Sequence, residues 1–145
     1  MKSIILGIAT ATLALSLTTA VRAENPEQVK QLLETNLCQG CDLSGANLQG
    51  RHLIGADLRN ANLAGANLEA ANLEGADLSG ASLERANLKK AFLNSVSLRE
   101  ANLAGANCTE ANISFADING ADLTRTILVD ANLSGTDLKE AIVPR

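Results

Sequence analysis

CDLSGANLQGRHLIGADLRNANLAGANLEAANLEGADLSG, residues 41–80, carries an apolar residue at every fifth position without a slip. Its central residues are Leu43, Leu48, Leu53, Leu58, Leu63, Leu68, Leu73 and Leu78, and Ala stands two residues before most of them, as at Ala46, Ala56, Ala61 and Ala66. The register runs on through Leu103, Cys108, Ile113 and Leu123 to Val143, giving 21 positions with no insertion. No single regular element tolerates this period. On an α-helix a step of five overshoots a full circle by about 140°, so the Leu residues would spiral around it. On a strand five is odd, so successive Leu residues would alternate faces. The chain must bend once per unit.

Within a unit, Ala and Leu lie two apart, so an extended piece points both inward while the Asn or Asp between them faces out. The residue after Leu is polar, and the next is often Gly, as at Gly45, Gly50, Gly55 and Gly65. Gly permits the positive φ that a tight corner needs. Each unit is therefore a short side followed by a corner. Units such as Ala46-Asn47-Leu48-Gln49-Gly50 and Ala76-Asp77-Leu78-Ser79-Gly80 resemble the A-(D/N)-L-x-x unit of pentapeptide-repeat proteins. The resemblance implies an all-β fold, a right-handed quadrilateral β-helix with four units per coil, here with a short N-terminal capping helix. At that rate 21 units make just over five coils, a rod roughly 25 Å long at about 4.8 Å per coil. No pocket or cleft is implied.

The 145 residues include no Trp, no Tyr and only two Phe, Phe92 and Phe115. The core must therefore be Leu and Ala in a thin, repetitive arrangement. Residues 1–23 read as a cleavable signal peptide: Lys2 supplies the charged start, Ile4 to Ala20 is uncharged and mostly apolar, and Val21-Arg22-Ala23 fits a small-x-small cleavage site. A permanent membrane anchor is the competing reading, at the lower limit of length for a span. Cleavage after Ala23 leaves 10 basic against 16 acidic side chains, a net charge of −6. That balance opposes nucleic-acid binding, which needs a basic face. Export to a periplasm or thylakoid lumen follows, with no membrane attachment after cleavage.

Residues 24–40 form a cap and transition, and residues 41–143 the solenoid. Asn25 suits a helix N-cap, Pro26 the first helical position, and Gln28 a capping-box return. Val29, Leu32 and Leu33 mark one apolar face, to cover the open end of the solenoid. Arg51 occupies an inward Ala position in the first coil, from which it would reach Glu34. At the other end, Pro144 blunts the edge or a second copy covers it, in an end-to-end homodimer.

Residues 20 apart stack when a coil holds four units. Asp57, Asp77, Ser97, Asp117 and Asp137 make one column, beside Arg59, Ser79, Arg99, Asn119 and Lys139, so that face neutralises itself. Asn47, Asn67, Asn87 and Asn107 make a ladder that ends at Ile127. Ile127, Val129 and Ile142 all point outward and form the candidate contact surface, with Phe92 as a further exposed residue on another face. Scattered exposed aliphatics are the plain alternative.

Cys38 and Cys41 are a C-x-x-C pair. In an exported chain they read as a disulfide pinning the cap to the first coil. A redox-active pair would need a thioredoxin-like setting, and a zinc site two more ligands where His52 is the only His. Cys108 takes an inward Leu position and reads as a buried thiol. No nucleophile–base set, phosphate loop, metal site or cofactor motif is present. The sequence thus points to a non-enzymatic scaffold for another protein. A DNA mimic, like family members that bind DNA gyrase, and a thiol-redox role for the Cys pair are the alternatives. The mimic needs a strongly acidic face, more coils and a cytoplasmic address.

Overall fold

A computed structural model describes residues 25–143. Residues 1–23, expected from the sequence to be a signal peptide, and Pro144, expected to blunt the edge, lie outside the described residues. Helix α1 spans Pro26–Thr35. The Asn25 carboxamide oxygen accepts the Gln28 N–H at 3.4 Å, Pro26 sits in the first turn, and Asn36 ends the helix in the left-handed region at φ 57°. Gln28 makes no capping-box return. Its Oε1 instead accepts the Asp42 N–H at 2.6 Å, tying the helix to the first rung. Leu32 is fully buried and Val29 half-buried against the core, whereas Leu33 is 40% exposed. The capping face is thus narrower than the spacing suggests. Arg51 is exposed, and among the described residues no ion pair joins it to Glu34.

The remainder is a β-helix solenoid. Parallel bridges join residues 20 apart, from Leu37↔Asp57 through Asn67↔Asn87 to Asp122↔Ile142, with a turn every five residues. Each 20-residue rung therefore holds four units. The ladder is interrupted once at its C-terminal end: Gly120 donates its N–H to the Glu140 carbonyl at 3.0 Å, and Asp117 and Asp137 are not bridged.

The hydrogen bonds explain the unit. In the unit around Leu63, the Asn62 N–H donates to Cys41 of the rung before, and the Leu63 and Gly65 N–H groups donate to Ser82 and Glu84 of the rung after, all at 2.7–2.8 Å. The Ala66 N–H closes the corner onto the Leu63 carbonyl at 3.0 Å. Only the Ala64 N–H is left without a backbone partner, and the Asn62 carboxamide oxygen accepts it at 3.2 Å. The same bond recurs along the solenoid, as at Asp77–Ser79 (3.0 Å), Asn102–Ala104 (2.9 Å) and Asp122–Thr124 (2.8 Å). Asn or Asp is needed beside the inward Leu because that side chain supplies the last acceptor in the unit.

Every corner from Gly40 to Gly135 has positive φ, whatever residue stands there. Gly fills half of them, while Asn60, Ala70, Arg85, Lys90, Glu110 and Phe115 are among those held at φ 54–59°. The corner is set by rung closure and by the i→i+3 bond, as in a type II turn. Inside, the Leu column from Leu43 to Leu103 and its flanking Ala residues are all but inaccessible, the small Ala fitting the narrow space beside the axis, where Val96 is the larger exception, equally buried.

Candidate functional site

Inward positions are consumed by packing, so function must lie on the outer columns, the corners or the ends. The aspartate column carries its own counterions. Arg59 donates to both Asp57 carboxylate oxygens at 2.8 and 2.7 Å, and this pairing holds the Asp57 carboxyl below its ordinary range. Arg99 reaches Asp117 at 3.1 Å, the Ser79 hydroxyl donates to Asp77 at 2.6 Å, and Lys139 lies 3.7 Å from Asp137. The Asn column is a partial ladder: the Asn87 amide donates to Asn67 at 3.1 Å, and the column ends at Ile127.

Cys38 and Cys41 are joined in a disulfide within the first rung, just after the helix, rather than between helix and rung, with Cys38 fully buried and Cys41 nearly so. Both lie in the core cluster with Leu32 and Leu43. Cys108 is a free thiol buried in the Leu column, and desolvation pushes its pKa up to about 12. Among the described residues, no group of three His, Cys, Asp or Glu side chains could hold a metal ion. No helix of the described residues is long and apolar enough to cross a membrane.

Ile127, Val129 and Ile142 are 47%, 58% and 58% exposed, and Phe92 is 49% exposed. Leu138 and Val143, which occupy inward register, are exposed beside them in the last described rung. Two of these residues break the rule that shapes the unit. Ile127 and Phe92, like Leu37 at the N-terminal end, stand where Asn or Asp in most units accepts the N–H two residues on. They have no oxygen to offer Val129 and Asn94, and about half of each residue meets solvent. Ile142 has the same register, but the residue two on is Pro144, which has no N–H to be accepted.

Among the described residues, the outer surface has at least two hollows where the sequence implies none. One, of about 360 Å³, lies along the polar side of α1, lined by Glu27, Gln28, Lys30, Gln31, Glu34 and Thr35. The other, of about 110 Å³, lies on a corner column, between Arg85 and Arg125. Reading the corner columns at a spacing of 20 would have found the second, because Arg85, Gly105 and Arg125 share one column.

The family model for pentapeptide repeats matches in eight copies, over residues 41–80, 76–107 and 106–143. No curated protein matches. Among solved structures, the pentapeptide-repeat protein Rfr23 from the cyanobacterium Cyanothece is 29% identical over 82% of this chain and 99% of its own, with a TM-score of 0.45. A pentapeptide-repeat protein from the Arabidopsis thaliana thylakoid lumen is 33% identical over 74% of this chain and 70% of its own, with a TM-score of 0.42. QnrB1, a plasmid-mediated fluoroquinolone resistance protein, is 24% identical over 75% of this chain and 60% of its own, with a TM-score of 0.63. The fold is a right-handed β-helix solenoid with a short helix.

Proposed function

The chain belongs to the pentapeptide-repeat family, and on that premise we propose that it is a non-enzymatic scaffold, exported from the cytoplasm, that docks a protein partner through the apolar C-terminal end of its solenoid. The observation that carries this reading is Ile127, which gives up the carboxamide that completes its unit and exposes about half of an aliphatic side chain, with Ile142 exposed on the adjoining side. A position that costs a hydrogen bond and leaves an aliphatic side chain half in solvent is explained by what it meets outside the chain. We take the cross-section to be quadrilateral, one unit per side, in keeping with bridges 20 residues apart. The patch then wraps the corner between two adjoining sides of the last rung. An end-to-end homodimer through the same end is the self-association form of the proposal.

Export rests on residues 1–23 read as a signal peptide, and a disulfide buried beneath the helix suits an oxidising compartment. A periplasm and a thylakoid lumen are the two such compartments, and one similar protein comes from the lumen. The aspartate column is paired with Arg59, Arg99 and Lys139, which favours a scaffold over a nucleic-acid mimic.

The test is a crosslinking pull-down with the chain from Glu24 as bait, beside an Ile127→Asn, Ile142→Asn variant. Restoring Asn at position 127 completes its unit, so the variant is expected to melt slightly higher than the parent while losing its partner. Retention of the partner by the variant would refute the patch. Capture of copies of the bait alone would assign the end to self-association.

A further inference from the structure

Five arginines lie among the described residues; Arg51 is exposed in the first rung, and the other four divide by what their guanidinium groups do. Arg59 and Arg99 are bound to aspartates of their own face. Arg85 approaches only Glu84, at 3.7 Å, which is beyond hydrogen-bonding distance. Arg125 makes no ion pair among the described residues. These two belong to one corner column, in which Gly45 and Gly65 come first and Gly105 stands between the arginines. Arg85 and Arg125 are therefore two rungs apart, about 10 Å along the axis. Gly105 has no side chain to fill the gap, and Ala104 beside it adds only a methyl group. The result is the 110 Å³ notch, with Glu84 and Arg85 on one wall, Ala104 and Gly105 on its floor, and Thr124 and Arg125 on the other wall. Arg85 lies against this floor: a Cβ added at Gly105 would meet its Cγ at 3.5 Å.

We propose that this notch binds a tetrahedral oxyanion, a phosphate or sulfate group. Guanidinium forks recognise oxyanions through paired, charge-assisted N–H···O bonds. One fork satisfies a planar carboxylate. Two arginines lining one notch suit a ligand with oxygens on more than one side, which is what a tetrahedral anion has. The walls differ in strength. Glu84 competes for Arg85, whereas the Asp122 carboxylate is held on its own face by the Thr124 hydroxyl and N–H and kept below its ordinary pKa by them. Arg125 is thus the stronger arm and Arg85 the arm the anion must win from Glu84. The notch lies on the corner that joins the Asp122–Ile142 side to the Ile127 side, so it adjoins the proposed docking end but uses neither Ile127 nor Ile142.

The corner conformation supplies clean variants. Arg85 and Arg125 are held at φ 55° and 59°, a region glycine prefers, so Arg85→Gly and Arg125→Gly remove the guanidinium without endangering the fold. Inorganic phosphate is titrated into the chain from Glu24 at pH 7.5 and low ionic strength, following the amide resonances of Gly105 and Thr124, with sulfate and acetate in parallel. Saturable shifts with phosphate and sulfate are expected, weakened about tenfold or more by either glycine variant, as loss of a charge-assisted fork requires. Arg125→Lys, which keeps the charge and loses the fork, is expected to bind more weakly than the parent, and Glu84→Gln more tightly. Arg99→Gln, on another face, serves as the control. The proposal is overturned by shifts that never saturate, by an acetate response equal to that of phosphate, by unchanged binding in both glycine variants, or by an equal loss in Arg99→Gln.

Discussion

Exchanging residues at two neighbouring corners measures what rung closure imposes on the backbone. Gly75 has φ 63°, and a Cβ built there would meet nothing within 4 Å. Gly75→Ala therefore adds a methyl group in open space, and its whole effect is conformational. The left-handed region costs an L-residue roughly 1–2 kcal/mol. Loss of glycine's freedom in the unfolded chain offsets about 0.4–1 kcal/mol of this. The net is a destabilisation of about 0.5–1 kcal/mol. Ala70, one corner earlier at φ 54°, is the converse case, and Ala70→Gly should stabilise by the same amount. For a folded unit of this size the two melting temperatures should part from the parent by roughly 2–5 °C in opposite directions, read by circular dichroism. Gly135→Ala separates strain from sterics, because the added Cβ would collide with the Phe115 ring. It should cost more than Gly75→Ala, and the excess should vanish in a Phe115→Ala background. A lower melting temperature for Ala70→Gly, or no change for Gly75→Ala, would refute the claim that the corner conformation is imposed on whichever residue occupies it.

Three further outcomes test the interior and the unit. Asn107 accepts both the Thr109 N–H, at 3.1 Å, and the Thr109 hydroxyl, at 2.7 Å; Asn107→Ala should cost about 1 kcal/mol in denaturant unfolding, while Asn107→Asp, which keeps the acceptor, should lie near the parent. Leu83 is fully buried at mid-solenoid, so Leu83→Ala should cost about 2–5 kcal/mol by the same measurement. The Cys108 thiol has a pKa raised from 9.0 to about 12, so between those values the unfolded chain ionises while the folded one does not. Stability should be unaffected by this group below pH 9 and fall above it, by up to about 1.4 kcal/mol per pH unit. Cys108→Leu, which restores the column residue, should lack that component in unfolding curves collected from pH 8 to pH 11, and an equal slope in parent and variant would count against the burial.

The period of five was legible at once, because a solenoid repeats its sequence wherever it repeats its packing. Leu43 to Leu123 could be placed in the core from spacing alone, whereas Leu138 and Val143 keep the register but are exposed in the last described rung. The role of the Asn and Asp residues was not legible. From the sequence they are short polar residues facing solvent; their function as acceptors appears only when the rung register shows that the Ala64 N–H, and its equivalents, have no backbone partner. The corners misled in a different way. Gly45 and Gly50 advertise positive φ, but Lys90 and Phe115 adopt it too, since closure of the rung outweighs a local preference of about 1–2 kcal/mol. Leu33 and Gln28 show the limit of helix periodicity in a ten-residue helix: which side packs is decided by where the first rung sits, not by the helix.

The acceptor role changes how the surface is read. A solvent-facing Asn in this fold is structural, and a solvent-facing apolar residue in its place is a departure with a cost. Counting exposed aliphatics would rank Ile54 with Ile127, since both are about half exposed. The unit separates them. Ile54 follows the inward Leu53, at a position with no hydrogen-bonding duty. Ile127 and Phe92 displace an acceptor. Phe92 lies on a different side from Ile127, with Asn72 and Asn112 on the rungs either side of it, so it is not part of the C-terminal patch. Replacing it by Asn should raise the melting temperature and leave partner capture through Ile127 and Ile142 intact. If capture falls with Phe92→Asn alone, the docking surface extends around the solenoid rather than ending at its last rung.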